Sequence, residues 1–213
     1  MLVDIAERKR AEEQRSLLVR ELHHRVKNTL ATVQAIMGST ARASSTIEEF
    51  QQAFTGRILA LARTHTSLAE DQGQSITLRD LLCSELDPFD DGSEHRLRLE
   101  GPVIKLPSTI ALPLGMAIHE LTTNSVRYGS LSVLGGSLSV TWVLTGPEDD
   151  GELAIEWVER DGPLVHLPTR RGFGSQLLER VLNSQISART AITYDPKGLR
   201  AYVEVPLTMH RSD

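Results

Sequence analysis

Two adjacent histidines, His23 and His24, lie within a long helical pattern in the N-terminal third of the chain. Apolar positions recur every three or four residues from Leu18 to Thr40, which is the spacing of one face of an α-helix. With Leu22 at the centre of that face, a rotation of about 100° per residue puts His23 at about 100° and His24 at about 200°. His24 is therefore predicted to face solvent, where its imidazole is available as a nucleophile. An ordinary surface histidine would have the same position.

A second group of polar residues is spaced for one face of a later helix, because Glu120, Asn124 and Arg127 follow one another at four and three residues. The amide oxygen of Asn124 suits Mg²⁺, which proteins hold with few groups of their own together with nucleotide phosphates. Arg127 would neutralise phosphate charge. Glu120 would organise a proton or a water near a transferred phosphoryl group. A helix with a solvated polar face would show the same spacing.

Two glycines, Gly172 and Gly174, precede a predicted helix at about 175–187. Glycines at the start of a helix let backbone N–H groups approach a phosphate at the positive end of the helix dipole. The same pair also fits an ordinary turn that leads into a helix. Further upstream, Trp157 and Glu159 end an alternating strand pattern. The tryptophan is typical of a core position, and the carboxylate can accept hydrogen bonds.

The elements that must hold these residues begin with two predicted helices. Residues 4–43 and 47–68 each carry an apolar stripe at helical spacing. Two such helices with a short connection form an antiparallel hairpin. Because a hairpin buries its apolar face best against another copy, we expect a homodimer that forms a four-helix bundle. The connection offers one of two capping boxes, Ser45 with Glu48 or Thr46 with Glu49.

After residue 72 the pattern changes to mixed strands and helices with several hairpins. Such a mixture predicts helices on one face of a mostly antiparallel sheet. The predicted fold class is therefore α+β, with a helical domain at 1–72 and a mixed domain at 73–213. The predicted helices of the second domain are 77–86, 113–128 and about 175–187, the first of them capped by Thr77 with Asp80. The predicted strands are 96–100, 137–144, 152–158, 190–194 and 201–205.

Composition excludes several classes of protein. The formal net charge of −5 argues against a general nucleic-acid binder, which should be basic. The single cysteine, Cys83, excludes an intramolecular disulfide and a cysteine-based metal cage. No apolar stretch approaches the ~20 residues that cross a bilayer, and the N-terminus lacks a secretory pattern. The sequence therefore predicts a cytoplasmic protein with no nucleic-acid or membrane partner.

The motifs around these residues resemble those of one enzyme family. The stretch 21–28, Glu-Leu-His-His-Arg-Val-Lys-Asn, resembles the phosphoacceptor box of the HWE and closely related HisKA_2 histidine kinases. In that family the acceptor directly precedes Arg-x-Lys-Asn, which points to His24 and agrees with the helical wheel. The stretch 117–129 resembles the N box, whose named histidine corresponds to His119, and 157–163 resembles the Trp-x-Glu motif.

The resemblance extends from about residue 17 to residue 207. It implies the catalytic core of a sensor histidine kinase, in which a dimerisation and phosphotransfer hairpin precedes a Bergerat-type α/β sandwich. It further implies that ATP and Mg²⁺ serve to phosphorylate His24 and that a response-regulator aspartate then receives the phosphoryl group. Residues 4–14 resemble the linker that leaves a PAS sensor domain, so a PAS-like domain is expected before this chain in a longer receptor.

The family motifs also imply roles for single residues, with His24 and Glu120 as the catalytic pair. Glu159 takes the place of the aspartate that accepts from the adenine amino group in ordinary histidine kinases. Asp161 stands where the family usually has glycine. Gly172 and Gly174 resemble the glycines of the ATP lid. The residues that the resemblance assigns to the nucleotide are His119, Asn124, Arg127, Tyr128, Glu159, Gly162, Gly172 and Gly174, with Asn124 also the metal ligand.

Two alternatives to an active kinase stay open at this point. A phosphotransfer scaffold would keep His24 without ATP turnover, and degenerate nucleotide motifs would indicate it. An ATPase of the same fold would not need a solvent-facing histidine in a helical hairpin. The general base is also open, because Arg25 stands where ordinary histidine kinases carry an acid, which leaves Glu21 and Glu120 as candidates.

Overall fold

The computed structural model describes residues 2–70, 75–93, 95–147, 151–165 and 182–207 of the chain. The chain forms two compact units, Met1–Phe54 and Thr55–Asp213. The second half of the second helix therefore belongs to the unit that contains the sheet. The domain boundary after residue 72 stays a prediction.

Both predicted N-terminal helices form, α1 at Leu2–Ala43 and α2 at Ile47–Glu70. The start of α2 is capped by Thr46, whose Oγ1 accepts from the backbone N–H of Glu49 at 3.1 Å. The carboxylate of Glu49 in turn accepts from the backbone N–H of Ser45 at 2.7 Å. Of the two predicted capping boxes, the one with Thr46 and Glu49 forms in part, because Thr46 caps the helix while Glu49 accepts from the N–H of Ser45 in place of that of Thr46.

The apolar face of α1 differs between its two halves. In the second half Ile36 and Thr40 are fully buried, and the Thr40 hydroxyl donates to the carbonyl of Ile36 at 2.6 Å. In the first half Val26, from the same predicted face, is 49% exposed. An exposed apolar face is what the partner helices of the predicted dimer would cover. The dimer itself stays a prediction.

The second unit contains a mixed sheet of five strands, each of which was predicted with only its ends shifted, and a separate pair of short strands that was not predicted. Its described strands are β1 (Ser75–Thr77), β2 (Leu97–Glu100), β3 (Lys105–Pro107), β4 (Ser137–Thr145), β5 (Glu152–Arg160), β6 (Arg189–Asp195) and β7 (Gly198–Pro206). Five of them form one sheet in the order β2-β4-β5-β7-β6, and β1 pairs separately with β3. Within the larger sheet β2 and β4 are parallel, and the other neighbours are antiparallel.

Two of the three helices predicted for the second domain form as α3 at Leu78–Leu86 and α4 at Ser108–Tyr128. The Thr77 hydroxyl accepts from a backbone N–H in the first turn of α3, as the sequence predicts. The start of α4 was predicted at Pro113, and this was wrong, because the helix begins earlier and contains the proline. The added turns bury Ile110 and neighbouring apolar residues. The free energy gained from this burial outweighs the cost of the helical hydrogen bond that proline, which lacks an N–H, cannot make.

The predicted helix at about 175–187 is described only at its end, where α5 spans Asn183–Ile186. Residues 175–181 lie outside the described residues. One apolar core connects the elements of this unit, and it includes Leu82 of α3, Leu121 of α4 and Trp157 of β5. The α+β fold class is confirmed. Burying this core fixes α4 against the sheet, and α4 carries half of the predicted nucleotide contacts.

Candidate nucleotide and phosphoacceptor site

The predicted phosphoacceptor region lies in the middle of α1. Its backbone is helical through both histidines, as the periodicity predicts. His23 is exposed. The side chain of His24 lies outside the described part of the chain, so its outward orientation stays a prediction.

The polar face of α4 forms as the sequence predicts. Glu120 is 5% exposed, Asn124 is half-buried, and Arg127 and Tyr128 are exposed. The face therefore runs from a buried carboxylate to a solvent-exposed helix end. Within the part of the chain that the structure describes, the Asn124 side chain makes no hydrogen bond, so its amide oxygen is available as an acceptor. An available hard oxygen of this kind fits Mg²⁺ that is held mainly by phosphates.

The buried carboxylate of Glu120 pairs with Arg57, which the sequence had not singled out. Nε and Nη2 of Arg57 donate to the two oxygens of Glu120 at 2.6 and 2.9 Å. The side chains of the pair are 11% and 6% exposed. A two-point contact between guanidinium and carboxylate is the strong form of ion pair. The pair ties the second half of α2 to the helix that carries the predicted nucleotide contacts.

We expect Arg57→Met to lower the free energy of unfolding by about 3 kcal/mol, because the Glu120 carboxylate would stay buried without its cation. The double variant with Glu120→Leu should recover most of this loss. Urea unfolding measures both variants. The control is Arg98→Met, which removes the surface pair Arg98–Glu100, whose side chains are 66% and 53% exposed. That control should leave stability unchanged. An Arg57→Met variant as stable as the parent would contradict the expectation.

A second ionic cluster holds His119 on another side of α4. Its Nδ1 lies 2.8 Å from Oε2 of Glu85, and Arg63 donates Nη2 to the other oxygen of that carboxylate at 2.6 Å. Burial by itself would raise the pKa of Glu85, but the hydrogen bonds from His119 and Arg63 and their charges outweigh burial and hold the pKa below its usual value. The contact between His119 and a nucleotide stays a prediction.

A cavity of about 240 Å³ adjoins this cluster, between the end of α3 and α4. Its lining includes His119, Phe89 and Thr122. The Thr122 hydroxyl is buried and has no hydrogen-bond partner within the described residues. A two-residue step turns a helix by about 200°, so Thr122 and Asn124 point to opposite sides of α4. The cavity therefore lies on the side of α4 opposite Asn124, and its lining includes one of the predicted nucleotide contacts, His119.

The carboxylate of Glu159 lies at the end of β5, against the backbone that follows α4. It is 4% exposed, and its Oε2 accepts from the backbone N–H of Ser130 at 2.8 Å. Its Oε1 accepts from the indole N–H of Trp157 at 3.2 Å. The close approach depends on Gly129, where an added Cβ would lie 1.9 Å from Oε2. The predicted adenine acceptor is thus held in one orientation, directly beside the helix that carries Asn124.

The turn after Glu159 has the geometry that a glycine would favour. Asp161 has a φ of 56°, in the left-handed region where glycine is unstrained and aspartate is among the better tolerated residues. The glycine expected here from the family motif would relieve this strain. Gly162 is closely packed, since an added Cβ would lie 2.8 Å from the Cα of Ser130. The predicted lid glycines, Gly172 and Gly174, lie outside the described residues.

Comparison with known sequences points to one family. The profile of the HWE histidine kinases matches residues 21–103. A blue-light-activated histidine kinase of Brucella anthropi is 34% identical over 208 residues, which cover 98% of this chain and 42% of that protein. The corresponding protein of Brucella ovis is 33% identical over 205 residues, which cover 96% of this chain and 42% of that protein. The chain thus spans less than half the length of these relatives.

Solved structures with the same fold are also histidine kinases. The blue-light activated histidine kinase EL346 of Erythrobacter litoralis matches with a TM-score of 0.59 and 16% identity, over 87% of this chain and 61% of that one. The histidine kinase domain of EL346 matches with a TM-score of 0.54 and 13% identity, over 83% of this chain and 96% of that one. At such identities the likeness establishes the fold. In the described residues, no helix has the length and apolar character needed to span a membrane.

Proposed function

Because the chain belongs to the HWE histidine kinase family, we propose that it transfers the γ-phosphoryl group of ATP to His24 and passes it to an aspartate on a response regulator. The observation that carries this proposal is the family match over residues 21–103, which includes His24 directly before Arg-x-Lys-Asn. The length of the relatives supports a sensor domain outside this chain.

The residues near α4 have separable roles in this proposal. Glu159 accepts from the adenine amino group, and Asn124 supplies its amide oxygen to Mg²⁺. Arg127, at the exposed end of the helix, lies where it can meet phosphate charge. When bound, the metal ion neutralises charge on the phosphate oxygens, and positioning by the protein supplies much of the remaining catalysis.

Glu120 is the candidate on α4 for organising a proton or a water, and Arg57 constrains that role. Both carboxylate oxygens already accept from the guanidinium. A carboxylate has about four acceptor positions, so Glu120 retains acceptor capacity while it is paired. Glu21 of α1 remains the other candidate base.

The test of the proposed function is incubation of the chain with γ-labelled ATP and Mg²⁺, followed by treatment with acid or alkali. We expect label that is lost in acid and kept in alkali, as for a phosphoramidate bond to histidine. Label that survives acid, or no incorporation by folded protein, would contradict the proposal. Incorporation without metal would contradict the assignment of Mg²⁺.

We expect Glu159→Ala to weaken ATP binding by roughly 1.5–3 kcal/mol, the scale of a hydrogen bond to a charged group. Guanine presents an acceptor where adenine presents an amino donor, so the parent should prefer ATP over GTP and this variant should lose the preference. Calorimetry with both nucleotides measures the effect, and circular dichroism verifies the fold. Asp161→Ala is the control. If Asp161→Ala changes nucleotide preference and Glu159→Ala does not, the adenine acceptor is Asp161.

A further inference from the structure

The chain has two tryptophans, and both are buried and hydrogen-bonded, but to different kinds of acceptor. Trp142 and Trp157 are each 2% exposed. The indole N–H of Trp142 donates to the backbone carbonyl of Pro102 at 2.8 Å. The indole N–H of Trp157 donates to the side-chain carboxylate of Glu159 at 3.2 Å. A buried indole N–H needs some acceptor. Trp142 shows that in this fold a backbone carbonyl alone can accept from a buried indole N–H.

We propose that Trp157 is a positioning residue for nucleotide recognition, whose indole N–H fixes the Glu159 carboxylate in the orientation that accepts from adenine. The inference rests on the proposed role of Glu159. Trp157 and Glu159 are two residues apart on β5, so their side chains lie on the same face of the strand. The indole therefore approaches the carboxylate from the core side.

The two donors to Glu159 leave room for a third. Trp157 contacts Oε1 and the backbone N–H of Ser130 contacts Oε2, so each oxygen accepts once from the described residues. Since a carboxylate has about four acceptor positions, an adenine amino group can still be accommodated. With one donor on each oxygen the carboxylate cannot rotate without losing a hydrogen bond in a buried site, which is costly.

Fixed orientation is what discrimination between purines requires. A carboxylate that is free to turn can move its oxygens away from the guanine carbonyl and so reduce the repulsion between the two acceptors. A carboxylate held from both sides keeps that repulsion. It therefore rejects guanine as well as binding adenine. Ser130 lies two residues after the end of α4, so its hydrogen bond to Glu159 also connects the adenine acceptor to the helix that carries Asn124.

The test compares Trp157→Phe with Trp142→Phe, because both changes keep a ring in the core and remove one indole N–H. Calorimetry with Mg-ATP and Mg-GTP gives the affinities, and labelling rates give kcat and KM. We expect Trp157→Phe to reduce the ATP-over-GTP preference about tenfold, which corresponds to 1.4 kcal/mol, with KM raised and kcat nearly unchanged. We expect Trp142→Phe to keep the parental preference.

Equal losses in the two variants would mean that the effect comes from core packing, and would overturn the proposal. A Trp157→Phe variant with parental preference would also overturn it, provided that Glu159→Ala loses the preference. If Glu159→Ala itself keeps the preference, the assignment of Glu159 fails first, and an absence of labelling in the parent marks failure of the proposed kinase activity.

Indole resonances in the unaltered chain give a second readout, in case Trp157→Phe does not fold. With two tryptophans in the sequence, an ¹⁵N spectrum contains two indole N–H signals, and Trp142→Phe assigns them. Addition of Mg-ATP should shift the Trp157 signal and leave the Trp142 signal in place, whereas Mg-GTP should shift neither. A Trp157 signal that does not respond to Mg-ATP overturns the proposal.

Discussion

His24→Ala is expected to abolish incorporation of phosphate from ATP, whereas His23→Ala should keep most of it. The reason is the helical wheel of α1, which predicts that His24 faces away from the apolar stripe, together with the position of His24 directly before Arg-x-Lys-Asn. His23 is exposed, so its replacement should have little effect on folding. Labelling with γ-labelled ATP, at matched helicity by circular dichroism, measures both variants.

The two histidine variants control for each other, because they are adjacent on one helix and make the same chemical change. Equal loss of labelling in both, with folding intact, would show that the acceptor is wrongly assigned. Full labelling of both variants would place the acceptor outside this pair, and loss in His23→Ala alone would place it at His23. Complementary results, with loss at His24 alone, would also argue against an ATPase that uses no phosphohistidine.

Asn124→Ala is the second substitution with a large expected effect, and it should remove autophosphorylation without unfolding the protein. The proposed reason is loss of the amide oxygen that coordinates Mg²⁺. Asn124 is half-buried and its side chain bonds to nothing in the described part of the chain, so the fold should tolerate alanine, a strong helix former. Calorimetry with Mg-ATP and labelling rates are the measurements.

Thr123→Ala is the matched control, since Thr123 precedes Asn124 on α4 and lines the cavity beside His119. It should keep labelling near the parental rate. Asn124→Asp tests the same contact with a charged ligand and is also expected to lose activity. Unchanged Mg-ATP affinity and unchanged labelling in Asn124→Ala would remove Asn124 from the metal site.

Local signals in the sequence were sufficient for most of the fold. Alternation of apolar residues predicted β4 and β5, and the Thr77 cap predicted the start of α3. These features depend on hydrogen bonds and periodicities within a few residues. The start of α4 was wrong because the preference of Pro113 for a helix start was overridden by burial of the residues before it, and that burial depends on tertiary packing.

The ion pairs around α4 could not be predicted in the same way. Arg57 and Glu120 are far apart in sequence, and nothing in the local pattern of α2 distinguishes Arg57 from a solvent-facing arginine. Glu85 gave a weak signal, as a carboxylate within the apolar run of α3. A buried charge requires a partner, so that run was the one place where the sequence hinted at Arg63 and His119.

The Trp-x-Glu segment shows which properties of a site a sequence motif predicts and which require coordinates. The sequence identified Glu159 as an acceptor and treated Trp157 as a core residue. The structure shows that Trp157 is a core residue whose indole N–H also donates to Glu159. This contact follows from the two-residue repeat of a strand, which places both side chains on one face. Its distance and the second donor from Ser130 required coordinates.

Mass spectrometry of the modified site tests whether His24 carries the phosphoryl group. Trypsin cleaves after Arg20 and Arg25, which releases Glu21–Arg25 as one peptide that contains both histidines. The chain is incubated with Mg-ATP, kept alkaline to preserve phosphohistidine, and fragmented by electron transfer. We predict the added phosphoryl mass on fragments that contain His24 and its absence from those that end at His23. A phosphoryl group on His23, or an unmodified Glu21–Arg25 peptide from labelled protein, would contradict it.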